Sequence, residues 1–199
     1  MSVKYHFATP VYYEKLKSTS LVRFNEQLLD ECYALSEDDV AGQKWSKKNY
    51  LGGYSSYSSI NNLHEISPTF AALQKEIAKH VAKFSKELKF ELGSNKLQMT
   101  DCWLNIMPQG TVHGMHIHPI STISGTYYLK TPKGCSSISF EDPRLINFMA
   151  APTKKDAPIV EYEAKEGHVV LLESWLTHAV SANPVPAERI SISFNYNWF

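Results

Sequence analysis

The sequence predicts a mainly β fold with flanking helices: a jelly-roll-like double sheet whose outer face is buttressed by N-terminal helices. Two observations predict it. Amphipathic helical spacing is confined to the first half, and the second half is a series of short β-like runs with a turn signal in nearly every gap. A chain of 199 residues with 43% hydrophobic content fills one core comfortably but not two. A single domain over 1–199 is therefore expected, with helical support over about 1–95 and the jelly-roll core over about 96–199.

After an extended opening, Phe7-Ala8-Thr9-Pro10-Val11-Tyr12-Tyr13, the stretch from about Ser20 to Leu35 places Phe24, Leu28, Cys32 and Leu35 at helical spacing. From Gly42 to Asn62 the text is Gly, Ser, Tyr and Asn with little periodicity, which reads as loop, although its aromatic content argues against a disordered linker. A second helix is better marked. Ser67 suits the N-cap and Pro68 the first helical position, while Phe70, Leu73, Ile77, Val81, Phe84 and Leu88 follow one face and Gly93 is the expected stop. Strands are expected over Met99–Ile106, Ser124–Lys130, Ser136–Phe140, Ile159–Glu163, Val169–Leu172 and Ile190–Tyr196. Breakers such as Pro108-Gln109-Gly110, Pro132-Lys133-Gly134 and Glu166-Gly167 separate them.

Lys plus Arg number 20 and Asp plus Glu number 20, so no net field draws the chain to nucleic acid or to an anionic membrane. The three cysteines, Cys32, Cys102 and Cys135, match neither a disulfide framework nor a zinc ribbon, and a reducing compartment is the natural reading. The N-terminus lacks an apolar signal core, and no apolar run approaches the roughly 20 residues that span a bilayer. A cytoplasmic protein is expected.

The densest polar chemistry lies in Val112-His113-Gly114-Met115-His116-Ile117-His118-Pro119. Residues two apart on an extended chain point to the same side, so His116 and His118 reach one metal ion together while Ile117 packs the other way. His113 would face oppositely on an unbroken strand, although Gly114 leaves the local backbone open. A metal site needs at least one more ligand. His178, just beyond the apolar run Val169–Leu172, is the best candidate. His6, His64, His80 and His168 each have an ordinary structural explanation.

The last strand has two unlike faces: Arg189, Ser191, Ser193 and Asn195 alternate with Ile190, Ile192, Phe194 and Tyr196. One solvated side is common in sheets. Only one of the four polar residues is charged, however, and hydroxyls beside a lone Arg suit a pocket that receives an anion. Arg presents a planar fork that grips a carboxylate, and Ser191 on the same face adds a hydrogen bond.

Taken in order, His116-Ile117-His118-Pro119, Ser124-Gly125-Thr126-Tyr127-Tyr128-Leu129, Trp175-Leu176-Thr177-His178 and Arg189-Ile190-Ser191-Ile192-Ser193-Phe194-Asn195 resemble a microbial and phage family of 2-oxoglutarate- and iron(II)-dependent oxygenases. The Phe7-Ala8-Thr9-Pro10-Val11 opening fits too, so the resemblance covers almost the whole chain. It implies a double-stranded β-helix, with Fe(II) and 2-oxoglutarate as cofactors and O2 and a small-molecule or peptide substrate as partners. In the wider superfamily, which includes prolyl hydroxylases, a His-x-Asp/Glu pair and a distant His hold iron while a later Arg takes the distal carboxylate of 2-oxoglutarate. The resemblance thus implies His116, His118 and His178 at the metal and Arg189 with Ser191 at the carboxylate. Tyr128 contacts the same group by this likeness, and Asn105 is a further pocket candidate. The departure is His118, which stands where the superfamily has a carboxylate and leaves the site one negative charge short.

Two other classes stay open at this stage. Gly110 precedes His116 by the spacing of a cupin Gly-x5-His-x-His motif, but the Glu expected four or five residues later is replaced by Thr122 and Ile123, and a cupin has no use for Arg189 and Ser191. A non-catalytic zinc protein would also be satisfied by three histidines. The substrate is not legible. The Gly52–Ser59 loop and the 147–155 segment are candidates to cover the cavity mouth.

Overall fold

The computed structural model describes residues 2–4, 6–17, 21–150, 152 and 158–199. Its strands are β1 (Tyr12–Lys15), β2 (Tyr54–Ser55), β3 (Leu97–Met107), β4 (His113–His116), β5 (Ile123–Lys130), β6 (Ile138–Glu141), β7 (Ile159–Tyr162), β8 (His168–Glu173), β9 (His178–Val180) and β10 (Arg189–Trp198). The helices are α1 (Leu21–Asp38), α2 (Val40–Asn49), α3 (Leu63–Ile66) and α4 (Pro68–Glu87). Six strands form one sheet in the order β1-β8-β5-β10-β3-β2, and four form a second in the order β4-β9-β6-β7. All the paired strands run antiparallel. This is the double-sheet architecture with flanking helices that the sequence predicts.

The two faces of the large sheet serve different cores, which follows from the period of two along each strand. Leu104, Ile106, Tyr127, Leu129, Val169, Leu171, Ile190, Ile192 and Phe194 pack under the helices with Leu28, Cys32, Leu73, Ile77 and Phe84. Met107, Tyr128, Val170 and Leu172 turn the other way and meet Ile138, Phe140 and Val180 of the small sheet. Each such side chain, fully buried, contributes about 1.5–3 kcal/mol. Gly125 lies where three strands crowd: a Cβ there would stand 2.5 Å from Val170 O and 2.7 Å from Phe194 Cε2.

The N-terminus of α4 is built as its sequence reads, with Ser67 Oγ accepting from the N–H groups of Thr69 and Phe70 and Pro68 opening the helix. Its end differs. The helix stops at Glu87, ahead of Gly93, because Lys89 takes a positive φ of 57° and breaks the turn without glycine.

The 42–62 stretch also departs from its reading as loop. It holds most of α2, together with β2, because Asp39 caps Gly42 N and because the buried positions of α2 are Gly42 and Ser46. Small polar residues carry no apolar period, so the helix was silent to the pattern. In the first predicted helix, Ser20 lies outside the described residues, as do 151 and 153–155 of the proposed cover segment. Among the described residues, no helix is long and apolar enough to cross a membrane.

Candidate active site

Pairing of β4 with β9 sets His116 directly opposite His178, with ring centroids 4.2 Å apart. His118 follows just past the end of β4, where its N–H bonds Ser174 O at 2.9 Å, and its ring lies 5.2 Å from each of the other two. One ring nitrogen from each of the three lies within 4.8 Å of the others. Among the described residues, this is the one group of three or more His, Cys, Asp or Glu with metal-holding geometry.

The donors suit a metal ion. His116 Nδ1 faces Gly114 O at 2.8 Å, His178 Nδ1 faces Leu176 O at 2.8 Å, and His118 Nδ1 faces Asn195 Oδ1 at 2.7 Å. An acceptor at Nδ1 fixes the proton there and leaves the Nε2 lone pair for a ligand bond. Burial favours the neutral form of all three, and it pushes His178 down to about 3.

His113 joins the group, which an unbroken strand would not allow and the open backbone at Gly114 does. The register of β4 against β9 shifts between His113 and His116, so residues three apart share a side, and the two rings stack at 4.5 Å. Burial and the neighbouring imidazoles push His113 down to about 4.

Behind the histidines a recess of about 50 Å³ is lined by Asn105, Met107, Thr126, Arg189, Ser191 and Ser193 among others. The polar face of β10 therefore faces a cavity and not solvent. Arg189 is 2% exposed. Its guanidinium donates to Ser136 O at 3.2 Å and Ser191 Oγ at 3.3 Å, and it lies 5.1 Å from the centre of the Tyr128 ring. Among the described residues no carboxylate pairs with it. Among the described residues, the Ser136 hydroxyl has no hydrogen-bond partner and the Tyr128 hydroxyl makes none of good geometry, with the Arg189 guanidinium as its polar neighbour. A buried cation beside unsatisfied hydroxyls is costly unless an anion completes it. Asn105 reaches the same recess, held by Ser55 Oγ at 2.9 Å and donating to Ser193 Oγ at 3.0 Å. Thus the residues singled out from sequence, His116, His118, His178, Arg189, Ser191, Tyr128 and Asn105, are brought together.

On the open side of the histidines a cleft of about 320 Å³ is walled by Trp45, Tyr50, Tyr57, Trp103, Ile117 and Ile120. Trp103 is buried, packs its ring 5.8 Å from His118 and takes the edge of Tyr57 at 5.0 Å. Ser55 and Tyr57 bring the Gly52–Ser59 loop, one of the two candidates to cover the cavity, to this mouth. Trp103 and Tyr50 went unremarked in the sequence. Trp103 had a signal, since it lies two positions before Asn105 on the same strand and so on the same face.

Residues 101–195 match the model of a family described as "Putative 2OG-Fe(II) oxygenase". No curated protein matches the chain. Among solved structures, a Pseudomonas putida prolyl-4-hydroxylase is similar at TM-score 0.62 and 12% identity, over 95% of this chain and 92% of that one. HygX from Streptomyces hygroscopicus, solved with nickel, 2-oxoglutarate and hygromycin B, is similar at TM-score 0.65 and 12% identity, over 95% and 83%. The α-ketoglutarate-dependent epimerase SnoN from nogalamycin biosynthesis is similar at TM-score 0.65 and 14% identity, over 95% and 78%. At these identities the structures establish a shared fold, the double-stranded β-helix. The chain thus shares this fold, and its residues 101–195 are similar to the 2-oxoglutarate- and iron(II)-dependent oxygenase family that the model describes.

Proposed function

We propose that the chain is a dioxygenase that hydroxylates a small-molecule or peptide substrate, using Fe(II) held by His116, His118 and His178 and 2-oxoglutarate held by Arg189 and Ser191. The observation that carries the reading is the buried Arg189, without a carboxylate partner among the described residues, in the recess directly behind the three histidines. When bound, iron and co-substrate would supply the oxidation: 2-oxoglutarate and O2 are converted to succinate and CO2 while one oxygen atom enters a substrate C–H bond.

The residues do the rest. Arg189 neutralises and orients the distal carboxylate, with the Tyr128 hydroxyl and Ser191 as additional partners and Asn105 shaping the wall. Three neutral imidazoles hold the cation without adding charge, so iron(II), the Arg189 guanidinium and the dianionic co-substrate together would leave the site one positive charge in excess. Trp103, Tyr57 and Trp45 give the outer cleft aromatic walls, against which the substrate would lie. Since the oxidation requires no proton transfer from a side chain, no general acid or base is assigned.

A cupin or a closed zinc site leaves Arg189 without a purpose, and the oxygenase reading is favoured over both. The helices share one core with the large sheet, which supports a single domain. The three free thiols support the cytoplasmic placement. The test is succinate formation from 2-oxoglutarate by the iron-loaded protein in air, with Arg189→Met and His178→Ala as controls. Succinate formed by the unaltered protein and lost in both variants supports the proposal; none above the controls contradicts it. Oxygen-18 from O2 in a product then separates hydroxylation from the epimerising and cyclising outcomes named for SnoN and for the similar carbocyclase SnoK.

A further inference from the structure

Resting on the assignment of His118 as a metal ligand, we infer that Asp101 and Asn195 form a tautomer lock, which holds the His118 ring proton on Nδ1 and so keeps Nε2 free for the ion. Asp101, Asn195 and Ser124 stand side by side on β3, β10 and β5, each in register with the next. A neutral imidazole has two tautomers, and only the one protonated on Nδ1 offers an Nε2 lone pair.

His116 and His178 have theirs set by main-chain carbonyls, which accept and never donate. His118 Nδ1 instead meets two side chains, the Asn195 amide at 2.7 Å and the Ser124 hydroxyl at 2.9 Å, and both kinds of group are ambiguous. Turned one way the amide presents its oxygen to Nδ1; turned the other it presents an N–H and selects the wrong tautomer.

Asp101 removes the ambiguity. A carboxylate only accepts, and its Oδ2 lies 3.3 Å from Asn195 Nδ2, so the amide NH2 is committed to Asp101 and the oxygen to His118. Asp101 is itself positioned by Asn61 Nδ2 at 3.0 Å and Thr100 Oγ1 at 2.9 Å. Ser124 Oγ donates its one proton to Asn195 Oδ1 at 2.8 Å, which leaves its oxygen to accept from His118 Nδ1 at 2.9 Å and from Ser174 Oγ at 2.7 Å. The carboxylate absent from the ligand set thus stands one residue further out, acting on His118 through the amide. Both are positioning residues.

The test uses the metal-free and Co(II)-loaded protein. Nitrogen-15 NMR of histidine-labelled, metal-free protein reads which His118 nitrogen carries the proton, and chelator competition reads Co(II) affinity. Asp101→Asn is expected to populate the Nε2-protonated form and to weaken Co(II) about tenfold. The double variant Asp101→Asn with Asn195→Asp swaps amide and carboxylate, turning the carboxylate to His118, and is expected to restore both readouts. Thermal melting of the metal-free variants checks that they fold. An Asp101→Asn protein with the unaltered tautomer and unaltered Co(II) affinity would overturn the lock. Failure of the unaltered protein to bind Co(II) would instead remove the metal site itself and the inference with it, and the two failures are told apart by that control.

Discussion

His116 and His178 face each other across β4 and β9, with ring centroids 4.2 Å apart and each Nδ1 on a carbonyl of its own strand region. Two neutral imidazoles in this arrangement present lone pairs to one point, and a divalent ion there ties together strands that otherwise meet over few residues. Fe(II), Co(II) or Zn(II) at about 100 times its dissociation constant should stabilise the fold by about 2.7 kcal/mol. Thermal melting with and without metal checks this, and His178→Ala should abolish the metal-induced rise.

Arg189→Met should separate binding from stability. The side chain is 2% exposed and pairs with no carboxylate among the described residues, so replacing it with an apolar chain of similar length removes an uncompensated buried charge. Melting of the co-substrate-free variant should be unchanged or higher, while 2-oxoglutarate affinity measured by calorimetry falls at least a hundredfold. Arg189→Lys should recover little, because a point charge cannot reproduce the fork.

Acid should destabilise the metal-free protein from just below pH 6.5. Burial lowers the pKa of His113, His116, His118 and His178, so in the range between folded and unfolded values the unfolded chain binds more protons. Stability is then present above pH 6.5 and lost as pH falls toward the folded values, about 4 for His113 and about 3 for His178. For His178 alone, 6% exposed, the loss at pH 5 is roughly 2 kcal/mol. Denaturant midpoints at pH 7.5 and pH 5 measure it, and His178→Gln should flatten the dependence.

Gly125→Ala should be strongly destabilising despite the small change. The added Cβ meets a main-chain oxygen at 2.5 Å, which cannot move aside as a flexible side chain would. A loss of about 1–3 kcal/mol in urea unfolding is expected.

The site was legible where chemistry and periodicity coincide. Alternation along β10 put Arg189, Ser191, Ser193 and Asn195 on one face, and the structure turns that face to the cavity. The His-x-His pair needed only an extended chain. The side taken by His113 stays open in the sequence because a register shift in β4, which no periodicity reports, brings it round. Helix α2 was missed because its buried side is Gly42 and Ser46, residues chosen for close approach and hydrogen bonding and not for hydrophobicity. Asp101 and Ser124 were silent for a different reason: their meaning lies in lateral register across three strands, which a single strand's sequence does not contain.

The most direct test of the whole account is anaerobic titration of the Fe(II)-loaded protein with 2-oxoglutarate, followed by the weak visible charge-transfer absorption that a 2-oxo acid gives when it chelates Fe(II). The account predicts a saturable band that Arg189→Met shifts to much higher 2-oxoglutarate concentration and that His178→Ala abolishes. Iron bound at the three histidines with no such band at any 2-oxoglutarate concentration would contradict it.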